Sequence, residues 1–220
     1  MKYVITVLVA TFLLAIAFCI GATKFQGISD GIKWTDVGSL IVTFCGFTFA
    51  FVTYFQWSKN KRKEDAYLVA KKYVASIDEI EEQLHELIYQ YDHICPAPGV
   101  VVENNDVSLK RIEHLHNVWG HLYQARRNLF KSHRELAFWD VNLASDFKDH
   151  HSEINKLLDH LSVVSSSLNN QLFHYIKSKM ENMGEVISHK KRFDELFNQI
   201  HTITQKRVKC GFKDMFKFGE

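Results

Sequence analysis

The chain has 220 residues, of which 46% are hydrophobic and 24% are charged, and its formal net charge is +2. This balance excludes a disordered chain, a collagen-like repeat and a disulfide-rich secreted fold. It does not exclude a membrane protein, because the apolar residues are concentrated near the start of the chain and most basic residues follow them.

Two long uncharged runs occupy the first part of the chain. The first covers residues 3–23 and the second covers residues 37–57, each about 21 residues long. About 20 apolar helical residues cross the hydrocarbon core of a bilayer. Aromatic residues near the run ends, such as Tyr3 and Trp57, suit the headgroup layer. We therefore predict a transmembrane hairpin of two helices within residues 1–57.

The first run has an alternative interpretation as a cleaved signal peptide. The sequence Ala15-Ile16-Ala17 resembles a small-residue cleavage site, and Lys2 supplies a positive start. The apolar stretch is longer than the usual signal core of 7–15 residues. We therefore expect the first run to be retained as a span.

Positive residues beside the spans predict the orientation of the hairpin. Lys59, Lys61, Arg62 and Lys63 follow the second run directly, whereas the loop between the runs carries two lysines and two aspartates. Positive flanks stay in the cytoplasm. We expect both termini to be cytoplasmic and the loop between the spans to be external.

The second run has two different faces at helical spacing. Its small and weakly polar face consists of Ser39, Thr43, Gly46, Ala50 and Thr53. Its bulky face consists of Leu40, Phe44, Phe47, Phe51 and Phe55. Small residues allow close approach of helices in lipid. The small face predicts packing, either against the first span or between copies of the chain, and in the second case a water-filled path is a further hypothesis.

Residues 58–210 predict a cytoplasmic helical domain. An apolar stripe with steps of three and four runs from Val69 to Ile94, continuing the second run without a helix breaker until Pro96. A second helix is predicted from about Ser108, with leucines every seven residues at Leu115, Leu122, Leu129 and Leu136. Arg126 and His133 interrupt this seam, which favours a bundle helix over a free coiled coil.

Two further helices complete the predicted domain. The third covers about residues 142–183, with a weak point in its Ser- and Asn-rich stretch 163–170. The fourth runs through Phe193 and Ile200 to Val208. The expected fold is all-α, with an N-terminal transmembrane hairpin followed by an elongated cytoplasmic helical bundle. The basic, aromatic tail at 211–220 has three open interpretations: a segment on the inner leaflet, a docking peptide or a flap over the bundle.

The sequence offers no motif for catalysis. Histidines gather at His114, His116 and His121, and again at His150 and His151, but neither group has the ligand spacing of a zinc site. Phosphate-binding loops and nucleophile motifs are also missing from the sequence. We expect no metal, no cofactor and no enzymatic activity.

The layout resembles a known class of proteins. The chain begins with a hairpin that ends in FAFVTYFQWSKNKRK and continues as a helical domain without catalytic motifs. This resembles the small two-span membrane effectors of bacterial anti-phage defence systems, including the retron-associated type. The resemblance implies an effector (toxin) of abortive infection in the bacterial inner membrane, held inactive by partners such as a reverse transcriptase complex and disrupting the membrane when released.

Two other functions stay open from the residues alone. One is a non-toxic membrane-anchored scaffold or signalling subunit, for which the long helix would present a cytosolic protein partner. The other is a nucleic-acid-sensing bundle, because Arg127, Lys131 and Arg134 share one helix face. Expected partners are therefore the lipid bilayer, a protein bound to the bundle and a second copy of the chain.

Overall fold

A computed structural model of the protein describes residues 34–97, 105–177 and 182–219, together with residues 6, 10, 12, 13, 16 and 17. The described residues are predominantly α-helical and include one small two-stranded sheet. The chain divides into two compact units, Met1–Arg62 and Lys63–Glu220. The prediction of an all-α chain is confirmed, whereas most of the first apolar run lies outside the described residues.

Helix α1 runs without interruption from Trp34 to Ile94. Between Gly46 and Pro96 the sequence contains neither glycine nor proline, so nothing breaks the backbone hydrogen bonding of the helix. The predicted continuation of the second apolar run into the stripe that starts at Val69 is confirmed. From Gly38 onward this helix is long and apolar enough to cross a membrane, and its most apolar window is entirely unburied.

The second unit packs four helical segments around one hydrophobic core. The part of α1 beyond Lys63 contacts α2 (Asn105–Phe138), α3 (His150–Lys177) and α4 (Met183–Lys206). The buried stripe of α1 consists of Tyr73, Ile77, Ile80, Leu84, Leu87, Tyr91 and Ile94. Burial of this stripe removes its apolar surface from water, and burial of apolar surface is the dominant favourable term in folding.

The seven-residue leucine pattern of α2 lies in this core. Leu115, Leu122, Leu129 and Leu136 are all buried, with at most 2% of each residue exposed. The two residues that interrupt the pattern contact α3. Arg126 donates a hydrogen bond to Asp159 at 2.6 Å, and the His133 ring stacks on His151 with 3.8 Å between ring centroids.

The predicted start of the third helix is wrong. Asn142 lies in strand β1 (Val141–Leu143), a 3-10 turn follows at Ser145–Phe147, and α3 begins only at His150. The backbone of Asp140 is in the left-handed region, with φ of 55°, and turns the chain after α2. The strand itself depends on pairing with the distant tail, which no local pattern reveals.

The predicted end of the third helix, at about Met183, falls next to residues 178–181, which lie outside the described residues. The described part of α3 ends at Lys177, and the next helix, α4, begins at Met183 after Asn182, whose φ is 71°. The Ser- and Asn-rich stretch inside α3 is nevertheless continuous helix. Two of its polar side chains are satisfied by α1, because the Tyr91 hydroxyl lies 2.9 Å from Ser165 Oγ and donates to Asn169 Oδ1 at 2.9 Å.

The C-terminal tail packs on the helices of the second unit. A short helix, α5 (Phe212–Met215), leads into strand β2 (Phe216–Phe218), which pairs antiparallel with β1. Leu143 is opposite Phe216 in this register, and Met215 and Phe216 are buried. The tail therefore lies as a flap over the helical core, which is one of its three predicted interpretations.

Candidate functional site

The small face predicted on the second apolar run is exposed along its whole length. Ser39, Thr43, Gly46, Ala50 and Thr53 are all exposed in the first unit. A Cβ atom placed on Gly46 would meet no atom within 4 Å, so the backbone is open to close approach there. Close approach at glycine is a common basis of helix–helix packing in lipid.

The two threonine hydroxyl groups of this face are satisfied within α1. The Thr43 hydroxyl donates to the Ser39 carbonyl oxygen at 2.8 Å, and the Thr53 hydroxyl donates to the Phe49 carbonyl oxygen at 2.8 Å. Hydrogen bonding within the helix removes the cost of placing a free hydroxyl in hydrocarbon. The small face is therefore compatible with lipid and still able to contact another helix.

The opposite side of the segment is partly covered. Phe44, Thr48 and Phe51 are half-buried, and at 3.6 residues per turn they lie across the helix from Gly46 and Ala50. The Phe12 ring stacks on Phe44 with ring centroids 5.4 Å apart. This contact with the first apolar run involves the bulky face, so among the described residues the small face has no covering side chain.

The four predicted topology residues continue the same helix. Lys59, Lys61, Arg62 and Lys63 are exposed helical residues of α1. They follow Trp57, of which 60% is exposed. A cluster of cations one turn beyond an apolar helical segment is suited to the headgroup and cytoplasmic side of a membrane.

The histidines singled out in the sequence do not converge on one site. His114 Nε2 lies 3.3 Å from Glu86 Oε1, while His116 and His121 are exposed elsewhere on α2. The His150 ring lies against Phe147 with centroids 4.8 Å apart. Each group therefore has ordinary packing or surface contacts.

A half-buried pair of histidines joins α2 to α3. The His133 and His151 rings are parallel within 7°, and the Phe130 ring lies edge-on to His151 at 5.4 Å. Burial lowers the pKa of His151 to about 4, with a smaller contribution from the nearby His133. Burial also lowers the pKa of His133. Both imidazoles are neutral at pH 7, which allows them to stack.

A different polar cluster, which the sequence patterns do not predict, lies between α1 and α4. Among the described residues, Glu81, His85 and His201 form the only set of three in which each residue offers a potential metal-ligand atom and all three atoms lie within 4.8 Å of one another. Glu81 and His85 are one helical turn apart, a signal visible in the sequence. His201 comes from a distant helix, and only the fold brings it to the other two.

Neighbouring groups fix the Glu81 carboxylate. Gln205 Nε2 donates to Glu81 Oε1 at 2.6 Å, and Arg207 donates to Glu81 Oε2 at 3.1 Å and also to Asp78. Burial alone would raise the pKa of Glu81, but the hydrogen bonds and charge of these neighbours hold it below its ordinary value. Glu81 is therefore ionised at neutral pH.

The cysteine in the helical core, Cys95, is not activated as a nucleophile. Cys45, Cys95 and Cys210 are free thiols. Burial raises the pKa of Cys95 to about 12, so its thiolate is not populated at pH 7.

Comparison with known proteins finds no family model, no curated protein and no solved structure that matches this chain.

Proposed function

We propose that this protein is a membrane-anchored helical effector, of the anti-phage defence type that its layout resembles, and that it acts by self-association of its apolar segment, residues 38–57, in the bacterial inner membrane. The exposed small face of that segment carries the proposal. Its members are Ser39, Thr43, Gly46, Ala50 and Thr53, which share one side of α1 and are exposed.

The contact of Phe12 with Phe44 supports an intermolecular role for this face. In a hairpin the first span would occupy the bulky side of the second span and leave the small side to lipid or to another copy. Without a hydrophobic driving force in lipid, helices associate through close packing and hydrogen bonds. A helix of a second copy packs closely against Gly46 and Ala50, whereas lipid chains fit this flat surface less closely.

The helical domain is the proposed site of restraint. Helix α1 belongs to both units, so a protein that binds the domain holds the same helix that carries the small face. The proposed partner is a reverse transcriptase complex of the same defence system. Co-purification of the full-length protein in detergent with its neighbouring gene products tests this partner.

The proposed topology places both termini in the cytoplasm. The exposed cations at Lys59, Lys61, Arg62 and Lys63 support it, since they follow the apolar segment directly. A cysteine placed at Ser29 should react with an impermeant maleimide in intact spheroplasts. Native Cys210 should react only after permeabilisation, and the reverse pattern would contradict the orientation.

Expression without partners tests the activity itself. Cells that produce the wild-type protein should stop growing and lose membrane potential, as measured with a voltage-sensitive dye. Gly46→Leu should prevent both effects because it fills the open approach at the small face. Cys45→Leu is the matched control, since Cys45 is exposed beside this face but not on it. Full polarisation at high wild-type expression, or equal toxicity of Gly46→Leu, would contradict the proposal.

A membrane-anchored scaffold is the second candidate function, and one feature of α2 favours it. Tyr123 and Phe130 lie two turns apart and expose 63% and 43% of their surface. Exposed aromatic residues are common at protein-binding surfaces. A scaffold should keep its function when residues 1–57 are replaced by an unrelated two-span hairpin, whereas the effector should lose it.

A further inference from the structure

The cluster between α1 and α4 combines the side chains that bind transition metals. It contains two imidazoles and one carboxylate, from His85, His201 and Glu81, with one potential ligand atom of each lying within 4.8 Å of the others. Two ligand atoms bonded to a tetrahedral Zn²⁺ lie about 3.3 Å apart, given bonds of about 2.0–2.1 Å. Small side-chain rotations therefore convert the observed spacing into a coordination geometry.

One buried ring nitrogen of this cluster faces the Glu81 carboxylate without a well-directed hydrogen bond. His201 Nδ1 is buried and makes no hydrogen bond, although it lies 2.9 Å from Glu81 Oε1. A buried polar atom without a hydrogen bond is costly, so native structures rarely keep one without a reason. Coordination of an ion by this nitrogen would satisfy it.

The surroundings hold the three ligands in place. The Phe197 ring packs against both histidines, with centroid distances of 5.3 Å to His85 and 5.9 Å to His201. Gln205 donates to Glu81 Oε1 at 2.6 Å and so orients the carboxylate. Partners of this kind, outside the ligand set, orient the ligands and strengthen metal binding in known sites.

We propose that Glu81, His85 and His201 bind one divalent transition-metal ion, with Zn²⁺ the best match to two imidazoles and a carboxylate. The ion would connect α1 to α4. His85 is exposed, so a fourth coordination position faces water. This site is independent of the proposed membrane activity, because all three ligands belong to the helical domain. The alternative is that the cluster only forms the Glu81–His201 ion pair and binds no metal, and the experiment must distinguish this alternative from metal binding.

Cobalt provides a direct spectroscopic test. Full-length protein is purified in detergent with an affinity tag that contains no histidine, stripped with a chelator and titrated with Co²⁺. We expect one ion per chain, with the strong visible absorption of four-coordinate Co²⁺, and displacement of that spectrum by one equivalent of Zn²⁺. Zn²⁺ should also raise the melting temperature.

Variants assign the ion to these residues. His85→Ala should weaken binding at least about 100-fold without unfolding the protein, since His85 is exposed. Gln205→Ala should weaken it about 10-fold. His85→Cys should retain the ion and add a thiolate-to-cobalt charge-transfer band. His160→Ala, an exposed histidine on α3, is the matched control and should bind like the wild type.

Two results would overturn the proposal. One is a wild-type protein that binds no Co²⁺ or Zn²⁺ at micromolar concentrations, which would leave the ion pair of Glu81 and His201 as the whole role of the cluster. The other is binding that falls equally in His85→Ala and His160→Ala, which would indicate scattered surface histidines. Neither result bears on toxicity, so this test and the test of the membrane activity fail independently.

Discussion

The two parts of helix α1 have the same secondary structure and opposite burial. In the helical domain, Ile80 and Leu87 are completely buried against other helices. In the apolar segment, Val42 and Phe49 expose 72% and 74% of their surface. In the helical domain the fold itself removes the apolar side chains of this helix from water. In the apolar segment the fold leaves them exposed, so that lipid or another helix is needed to cover them. Helix formation alone therefore does not decide what an apolar residue contacts.

Truncation of leucine in the two regions should give the largest difference. Leu129→Ala removes a completely buried side chain and should lower the free energy of unfolding of the helical domain by about 2–5 kcal/mol. Leu40→Ala changes a residue that is 55% exposed in the apolar segment and should leave that free energy unchanged. Urea unfolding in detergent, followed by tryptophan fluorescence, measures both. Equal effects of the two variants would contradict the contrast in burial.

A buried hydrogen bond should have an intermediate effect. Tyr91→Phe leaves Ser165 and Asn169 without their shared partner and should cost about 1–2 kcal/mol of unfolding free energy. Tyr123→Phe is the control, because Tyr123 is 63% exposed. If the two variants unfold at the same urea concentration, the polar network does not stabilise the core.

The histidine pair predicts a pH dependence that belongs to the helical domain. The pKa of His151 is lowered from 6.5 to about 4, so between these values the native state binds fewer protons than the unfolded state. The contribution of the pair to stability is complete above pH 6.5 and is lost as the pH falls to about 4. The urea midpoint should therefore decrease over this range, and less steeply in His151→Gln. His160→Gln should retain the wild-type slope, and an unchanged slope in His151→Gln would be evidence against a neutral stacked pair.

A surface ion pair should have the smallest effect. Lys72 Nζ lies 2.8 Å from Glu135 Oε2, but the Lys72 side chain is 52% exposed. Lys72→Ala should cost about 0.2–1 kcal/mol, and the loss should shrink in high salt because the charges are screened. A loss above about 2 kcal/mol that does not depend on salt would mean that Lys72 contributes through packing.

Local patterns in the sequence predict the helical stripes well. The stripe of α1 and the leucines of α2 are recognisable because apolar residues recur every three, four or seven positions, and all of these leucines are buried. The long continuous helix also follows from the sequence, since no breaker occurs before Pro96. These features depend only on neighbours along the chain.

Features that join distant residues were not predictable. The strand at Val141–Leu143 forms because the tail strand Phe216–Phe218 pairs with it, and the Asn142 region alone resembles a helix start. In the same way, Glu81 and His85 have a visible spacing, but His201 joins them only through the packing of α4 on α1. The small face was identified from spacing, yet its exposure required the structure.

Crosslinking between copies in the membrane tests the central proposal most directly. In a chain without native cysteines, single cysteines are placed at Ala50, on the small face, and at Thr48, on the partly covered side. Oxidation of membranes from expressing cells should give disulfide-linked dimers for Ala50→Cys and monomers for Thr48→Cys. Monomers at both positions, or equal dimer yields at both, would contradict self-association through the small face.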